Sequence, residues 1–220
     1  MNKDMLLSQI QISLQNRKKE LLDFFIFIKT QQSETIEETI NKSYILLLYA
    51  HWEGFIKETS IKYFSFICSQ KRQVKDLTNN FYLIYFKDIL KNYQISRAIS
   101  IEKEILTKTL DKNKKFKIEI DKEHFQKYVL GIEDNLKFNN YKNICEILDY
   151  VLEDLTGKFN IILEKLVHNR NSIAHTGIKA DENTYTDIAD IEDMKNAIIK
   201  EMDNFYLFVE SNIKNDRYLI

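Results

Sequence analysis

The chain has 0 proline residues, 4 glycines and 2 cysteines among its 220 residues. Without proline, and with glycine so scarce, it lacks the turn residues that punctuate all-β sandwiches and barrels, and little in it interrupts long helices. Cys68 and Cys145 are too few for a disulfide framework or a four-thiolate zinc site, so a reduced, cytoplasmic setting is the expectation. No run approaches the ~20 apolar residues of a membrane span; the densest, Tyr44 to Ala50, is 7 residues long. The opening stretch MNKDMLLSQIQISLQNRKKE is polar and amphipathic, so no export signal is expected. Neither sign of charge dominates. The 32 Lys and Arg stand against 33 Asp and Glu, which excludes a uniformly basic nucleic-acid coat and leaves room for a local patch only.

What is present favours helices. Apolar residues make up 44% of the chain and charged residues 30%, enough for a core and too apolar for wholesale disorder. Leu6, Ile10, Leu14, Leu21, Phe25 and Ile28 recur at helical spacing and predict a first helix over 4–30, with Lys18, Lys19 and Glu20 on the other side. A turn at 31–34 follows, with Ser33 as an N-cap and Glu37 close behind it. The second predicted helix, 36–68, carries YILLLYAHWEGF, apolar nearly all round, as a helix at the centre of a bundle should be. Residues 70–140 read as an irregular insertion; within it KFKIEI, 115–120, alternates as a short strand or an extended arm does. Further helices are expected at 142–154, at 157–174 with Gly177 as the stop, and at 191–214 with Asp190 as the cap. The last would turn Ile191, Met194, Ile198, Met202, Phe205 and Phe208 inward, and the tail NDRYLI is expected to fray. The prediction is an all-α bundle of four to five main helices in a single domain over 1–220, its core drawn from 4–68 and 142–214.

Charge is uneven along the chain. Residues 157–179 hold Lys158, Lys165, Arg170 and Lys179 against Glu164, a balance of +3, and residues 180–203 carry a balance of −6. The basic strip suits phosphates, while two solvated faces of a neutral protein explain the pattern as well.

One residue breaks the pattern around it. The stripe Phe159, Ile162, Leu163, Leu166, Ile173 places Arg170 on or near the inward side of its helix. A guanidinium keeps its proton there, so it needs an acidic partner, carbonyls, a subunit boundary or an anionic ligand. Glu53 of the central helix is one candidate partner, in a buried ion pair. His175 follows five residues on, near the helix end. Five residues turn a helix by about 140°, so the two side chains diverge unless the end frays or two copies of the helix meet. An imidazole titrates near ~6.5 and exchanges protons at neutral pH, and a fixed cation stabilises charge growing on a phosphate. Together they suit phosphodiester transfer from an RNA 2′-hydroxyl, chemistry that needs no metal or cofactor.

The segment LVHNRNSIAHTG, 166–177, resembles the signature of the HEPN superfamily, an Arg with a polar residue after it and a His four to six positions on. YAHWEGFIK, 49–57, is similar to the central-helix motif of the bacterial branch that includes the RiboL-PSP and MAE_28990 groups. The resemblance covers 36–68 and 142–214 and carries nothing over to 70–140. It implies a metal-independent endoribonuclease that acts as a homodimer, with two Arg–His pairs meeting across a two-fold axis. It further implies a toxin or phage-defence effector, held in check by an antitoxin or defence partner. By position, Arg170 and His175 are then the catalytic pair and Asn171 a supporting residue. The product expected is a 2′,3′-cyclic phosphate.

Other residues carry two readings each. Glu53 orients Arg170 or His175, or pairs with another cation. Lys165, Thr176 and Lys179 hold RNA phosphates, or are ordinary surface side chains. Trp52 and Phe55 read as core rather than as base-stacking platforms, and His51 as a core or surface residue, or as an extension of the site where the central helix passes close by. Glu164, His168 and His175 lack the fourth ligand and the spacing of a metal site. Two rival functions stay open: a HEPN-like module that dimerises and binds RNA or protein without cutting, and a structural dimer in which Arg170 is an internal ion pair.

Overall fold

The computed structural model describes residues 2–30, 34–84, 98–111, 113–117, 135–152, 157–176 and 188–220, without the side chains of 34–38 and 176. Six α-helices are named in chain order: α1 (Lys3–Thr30), α2 (Glu34–Ser69), α3 (Ile99–Leu110), α4 (Phe138–Leu148), α5 (Lys158–Thr176) and α6 (Ile188–Lys214). Residues 79–84 are also helical, and a 3₁₀ turn spans Val74–Asp76. Among the described residues there is no strand, only the isolated antiparallel bridges Gln73–Lys115 and Leu77–Leu219. The fold is all-α.

The long helix α2 is the axis, packed against α1, α5 and α6. Its 36 residues contain no proline and run about 54 Å. Contact on several sides is why its apolar residues go all round: Tyr44, Leu48, Trp52, Phe55, Ile56, Phe64 and Phe66 are all buried. The Trp52 ring meets Tyr141 of α4 at 4.8 Å and Phe159 of α5 at 5.6 Å, edge to face. Trp52 and Phe55 are therefore core. Helix α1 buries the six apolar residues that its spacing singled out, and α6 buries Ile191, Met194, Ile198, Met202 and Phe205, with Phe208 partly covered.

Several expectations need correction. The helix expected at 142–154 spans Phe138–Leu148. It stops because Asp149 turns left-handed (φ 60°, ψ 36°), its N–H closing on the carbonyls of Cys145 and Glu146. Tyr150 then folds back onto Phe208, 4.9 Å away. Helix α6 begins at Ile188, so Asp190 lies inside its first turn rather than capping it. The tail does not fray: Tyr218 is 2% exposed, its ring stands edge-on to Phe66 at 5.8 Å, and the Thr78 N–H donates to its carbonyl at 3.0 Å. Nor is 70–140 uniformly irregular. Residues 72–84 and 113–117 pack on the end of α2, where Phe81 meets Phe64 at 5.9 Å and Phe116 at 5.8 Å. Of KFKIEI, Lys115 makes the isolated bridge to Gln73 and Phe116 is buried, while 118–120 lie outside the described residues, as do Ser33, Gly177 and the side chain of Glu37. Helix α3 buries none of its residues.

The acidic stretch is no simple solvated face. Glu201 is 8% exposed and accepts from the hydroxyls of Tyr141 at 2.6 Å and Tyr150 at 3.0 Å. Asp203 pairs with Lys18 at 2.6 Å and Glu192 with Lys29 at 2.8 Å, tying α6 to α1.

Candidate functional site

Helix α5 carries the Arg–His pair. Phe159, Ile162, Leu163, Leu166, Val167 and Ile173 face the core, and Arg170 falls inside the same arc. Its side chain is half-buried. The guanidinium lies over the Tyr49 ring of α2, 5.0 Å from the centroid, and its Nη1 donates to Asn171 Oδ1 at 2.9 Å. No carboxylate among the described residues stands within 4.0 Å of it.

Glu53, the candidate partner for a buried ion pair, does not supply one to Arg170. Its carboxylate takes Lys57 Nζ at 2.8 Å, one turn on in α2. Both charges nevertheless act on Tyr49. Burial pushes that hydroxyl well above the usual phenol value, the Glu53 carboxylate adds to the rise, and the Arg170 cation opposes it.

Asn171 lies at the centre of a polar relay. Its Oδ1 accepts from Arg170 and also from Asn135 Nδ2 at 2.7 Å. Asn135 Oδ1 in turn accepts from the Tyr49 hydroxyl at 3.4 Å, and that hydroxyl accepts the Leu136 N–H at 2.8 Å. The resemblance pointed to Asn171; Tyr49 and Asn135 were missed. Tyr49 stands inside YAHWEGFIK, where an apolar run disguised it as plain core. Asn135 sits just ahead of α4, and no local pattern marks it.

His175 is exposed in the last turn of α5. Five residues along a helix separate it from Arg170 by about 140° and about 7.5 Å of rise, so a single chain turns the two in different directions. His168 is exposed, and it shares the outward stripe of His175 rather than the inward one of Arg170. Lys165 is also exposed on the outer side of α5. Thr176 ends the helix with its side chain outside the described residues, where Lys179 also lies. Among the described residues, no three His, Cys, Asp or Glu side chains gather as a metal-ligand set.

His51 belongs to a different cluster. Arg17 of α1 donates to His51 Nδ1 at 3.4 Å and to Glu58 Oε2 at 3.1 Å, while Ser13 and Lys62 also donate to Glu58. Glu20 Oε2 lies 3.1 Å from His51 Nε2 without hydrogen-bond alignment. Gly54 leaves room for the Arg17 guanidinium: a Cβ there would meet Arg17 Nη1 at 2.9 Å, and that flexible side chain would have to shift. Thus His51 and Gly54 of YAHWEGFIK face Arg17 of α1, while Tyr49 of the same segment faces Arg170.

Residues 12–211 match the family described as RiboL-PSP-HEPN. That span includes 70–140, which the resemblance of the two motifs had left aside. No curated protein and no solved structure matches the chain. Among the described residues, no helix is long and apolar enough to cross a membrane.

Proposed function

The chain belongs to the RiboL-PSP-HEPN family, and on that premise we propose that it is an endoribonuclease whose catalytic groups are Arg170 and His175. Family membership by itself supports a ribonuclease or nucleotide-binding role. The observation that carries the finer reading is the state of Arg170. A cation on the inward arc of its helix is held by a neutral amide and an aromatic face, with no carboxylate within ion-pairing range among the described residues. Such a guanidinium keeps its charge and most of its donors for an anion.

In the proposed reaction His175 takes the proton of an RNA 2′-hydroxyl. The 2′-oxygen attacks the adjacent phosphorus, the bond from phosphorus to the 5′-oxygen breaks, and that oxygen leaves with a proton. A 2′,3′-cyclic phosphate and a 5′-hydroxyl end result. Arg170 stabilises the extra negative charge on the phosphoryl oxygens in the transition state. Because a single α5 points the two groups in different directions, the complete site needs two copies of the chain, with one His175 as base and the other as acid. Lys165, Thr176 and Lys179 extend the phosphate contacts. Glu53 acts at one remove, through the field it shares with Arg170 at Tyr49. A toxin or defence role, with a partner protein that restrains it, fits this activity.

The divergence of Arg170 from His175 favours one alternative, in which Arg170 holds phosphate without cleavage. Purified protein incubated with total RNA in EDTA separates the two. Cyclic-phosphate ends that vanish in Arg170→Ala and His175→Ala support the nuclease. A salt-sensitive gel shift with intact RNA supports the binding module and sinks the nuclease.

A further inference from the structure

The segment entering α4 is strapped along α5. The Phe138 N–H donates to Glu164 Oε1 at 3.1 Å, and two turns later Asn135 Nδ2 donates to Asn171 Oδ1 at 2.7 Å. The strap is itself held. The carbonyl of Asn135 accepts from Asn140 Nδ2 at 3.0 Å and from the Lys137 N–H at 2.8 Å, and the Leu136 N–H binds the buried Tyr49 hydroxyl.

This leaves Asn171 no freedom to turn. Its carbonyl oxygen accepts two hydrogen bonds, from Arg170 and from Asn135, which use both lone pairs. Turning the amide over would set its NH2 group against two donors. Asn135 is aligned in the same way, its NH2 toward Asn171 and its oxygen toward the Tyr49 hydroxyl. Donation therefore runs from Tyr49 through Asn135 to Asn171, where it meets the bond that Arg170 donates from the other side, and the Tyr49 ring faces the guanidinium directly.

We propose that Asn135 and the Tyr49 hydroxyl are positioning residues for Arg170. They hold Asn171 so that one edge of the guanidinium is occupied and the others are aimed at a phosphate. The proposal rests on the ribonuclease reading for its catalytic consequence, and its geometry is independent of that reading. It also gives the 70–140 stretch a part in the site: its final residues set the aim of an arginine 35 positions further on.

The test uses full-length protein with ¹⁵N-labelled arginine, the Arg170 side-chain signal being identified by its loss in Arg170→Lys. Asn135→Ala should move that signal toward the position of free arginine. Tyr49→Phe, which keeps the ring and removes only the hydroxyl, should move it partway in the same direction. In RNA cleavage, Asn135→Ala should lower kcat by about 10- to 100-fold, since a small misalignment of a catalytic group costs that much, with KM within about twofold. Asn135→Asp keeps the shape and replaces the donor with an oxygen, so it should not restore the rate; a role in packing alone predicts that it does. An Arg170 signal unmoved in both Asn135→Ala and Tyr49→Phe overturns the proposal. If the parent protein cuts no RNA, the ribonuclease reading falls, and the Arg170 signal still decides whether Asn135 holds the guanidinium.

Discussion

Arg170 shows how much depends on what surrounds a single charge. Breaking a buried ion pair by removing one partner costs about 3–5 kcal/mol, because the other charge is stranded. Arg170 has no such partner among the described residues, only an aromatic ring and one amide oxygen. Arg170→Ala should therefore cost about 1 kcal/mol of stability while lowering RNA cleavage by about 100-fold or more. A denaturant titration beside a cleavage assay checks both, and a large loss of stability would return Arg170 to the structural reading. Exposed His175 should give a cleaner separation, with stability changed by no more than about 0.5 kcal/mol in His175→Ala. Asn169, next to Arg170, is 1% exposed, and neither of its amide atoms finds a hydrogen-bond partner among the described residues. Asn169→Leu should raise stability by about 1–3 kcal/mol, since it removes an unsatisfied buried amide at similar volume. An unchanged or lowered melting temperature would contradict that account. The inward position of Arg170 followed from counting along one helix. Its freedom from Glu53 did not, because that depends on Lys57 standing one turn away on the same face of α2.

Among the elements, the α1–α2 contact is the one with a built-in chemical response. Arg17 can only donate, so its bond to His51 Nδ1 requires that nitrogen to be unprotonated. Burial lowers the pKa of His51 and the Arg17 cation lowers it further, against the opposing pull of Glu20. With the folded value depressed, the unfolded chain binds more protons below the ordinary value of 6.5. The stability that His51 contributes is then full above that value and is lost as pH falls from it toward the folded value. His51→Gln should flatten the pH dependence of unfolding on the acid side of neutrality; an unchanged slope would mean that His51 does not carry it. Gly54 offers a second test of the same contact. Alanine in a helix interior is favoured over glycine by about 1 kcal/mol, but here its Cβ would crowd Arg17. Gly54→Ala should stabilise an Arg17→Ala background by about that amount and the parent by clearly less, a difference that a double-mutant cycle reads directly. The motif YAHWEGFIK stood out in the sequence. Its division of labour, with Tyr49 toward α5 and His51 and Gly54 toward α1, became visible only when α2 had neighbours on both sides.

Across the whole molecule, the two ends of the chain and the 70–140 stretch are tied into one region. Lys3 pairs with Asp216 at 2.7 Å, Leu219 bridges to Leu77, and Tyr218 fills the space against Phe66. Removing a buried aromatic ring costs about 3–5 kcal/mol, so Tyr218→Ala should lower stability by an amount near the lower end of that range. A thermal melt within a degree or two of the parent would restore the frayed-tail expectation. The relay from Tyr49 through Asn135 and Asn171 to Arg170 shows the same integration at the candidate site. Tyr49 of α2 and Asn171 of α5 hold one guanidinium, and Asn135 on the approach to α4 braces both.

The sequence by itself determined the helical class, the approximate extents of α1, α2, α5 and α6, the inward placement of Arg170 and the family to which its motif belongs. All of these are repeats or spacings along a single segment, and helical periodicity is a property of near neighbours in the chain. Tertiary structure alone decided that Arg170 rests on Tyr49 and Asn171 rather than on Glu53, that Asn135 reaches Asn171, that α4 ends at Asp149, and that the tail docks on α2. Those outcomes depend on which side chains meet when separate elements cross. Crossing register is set by the packing of the whole core, and no short stretch of sequence contains it.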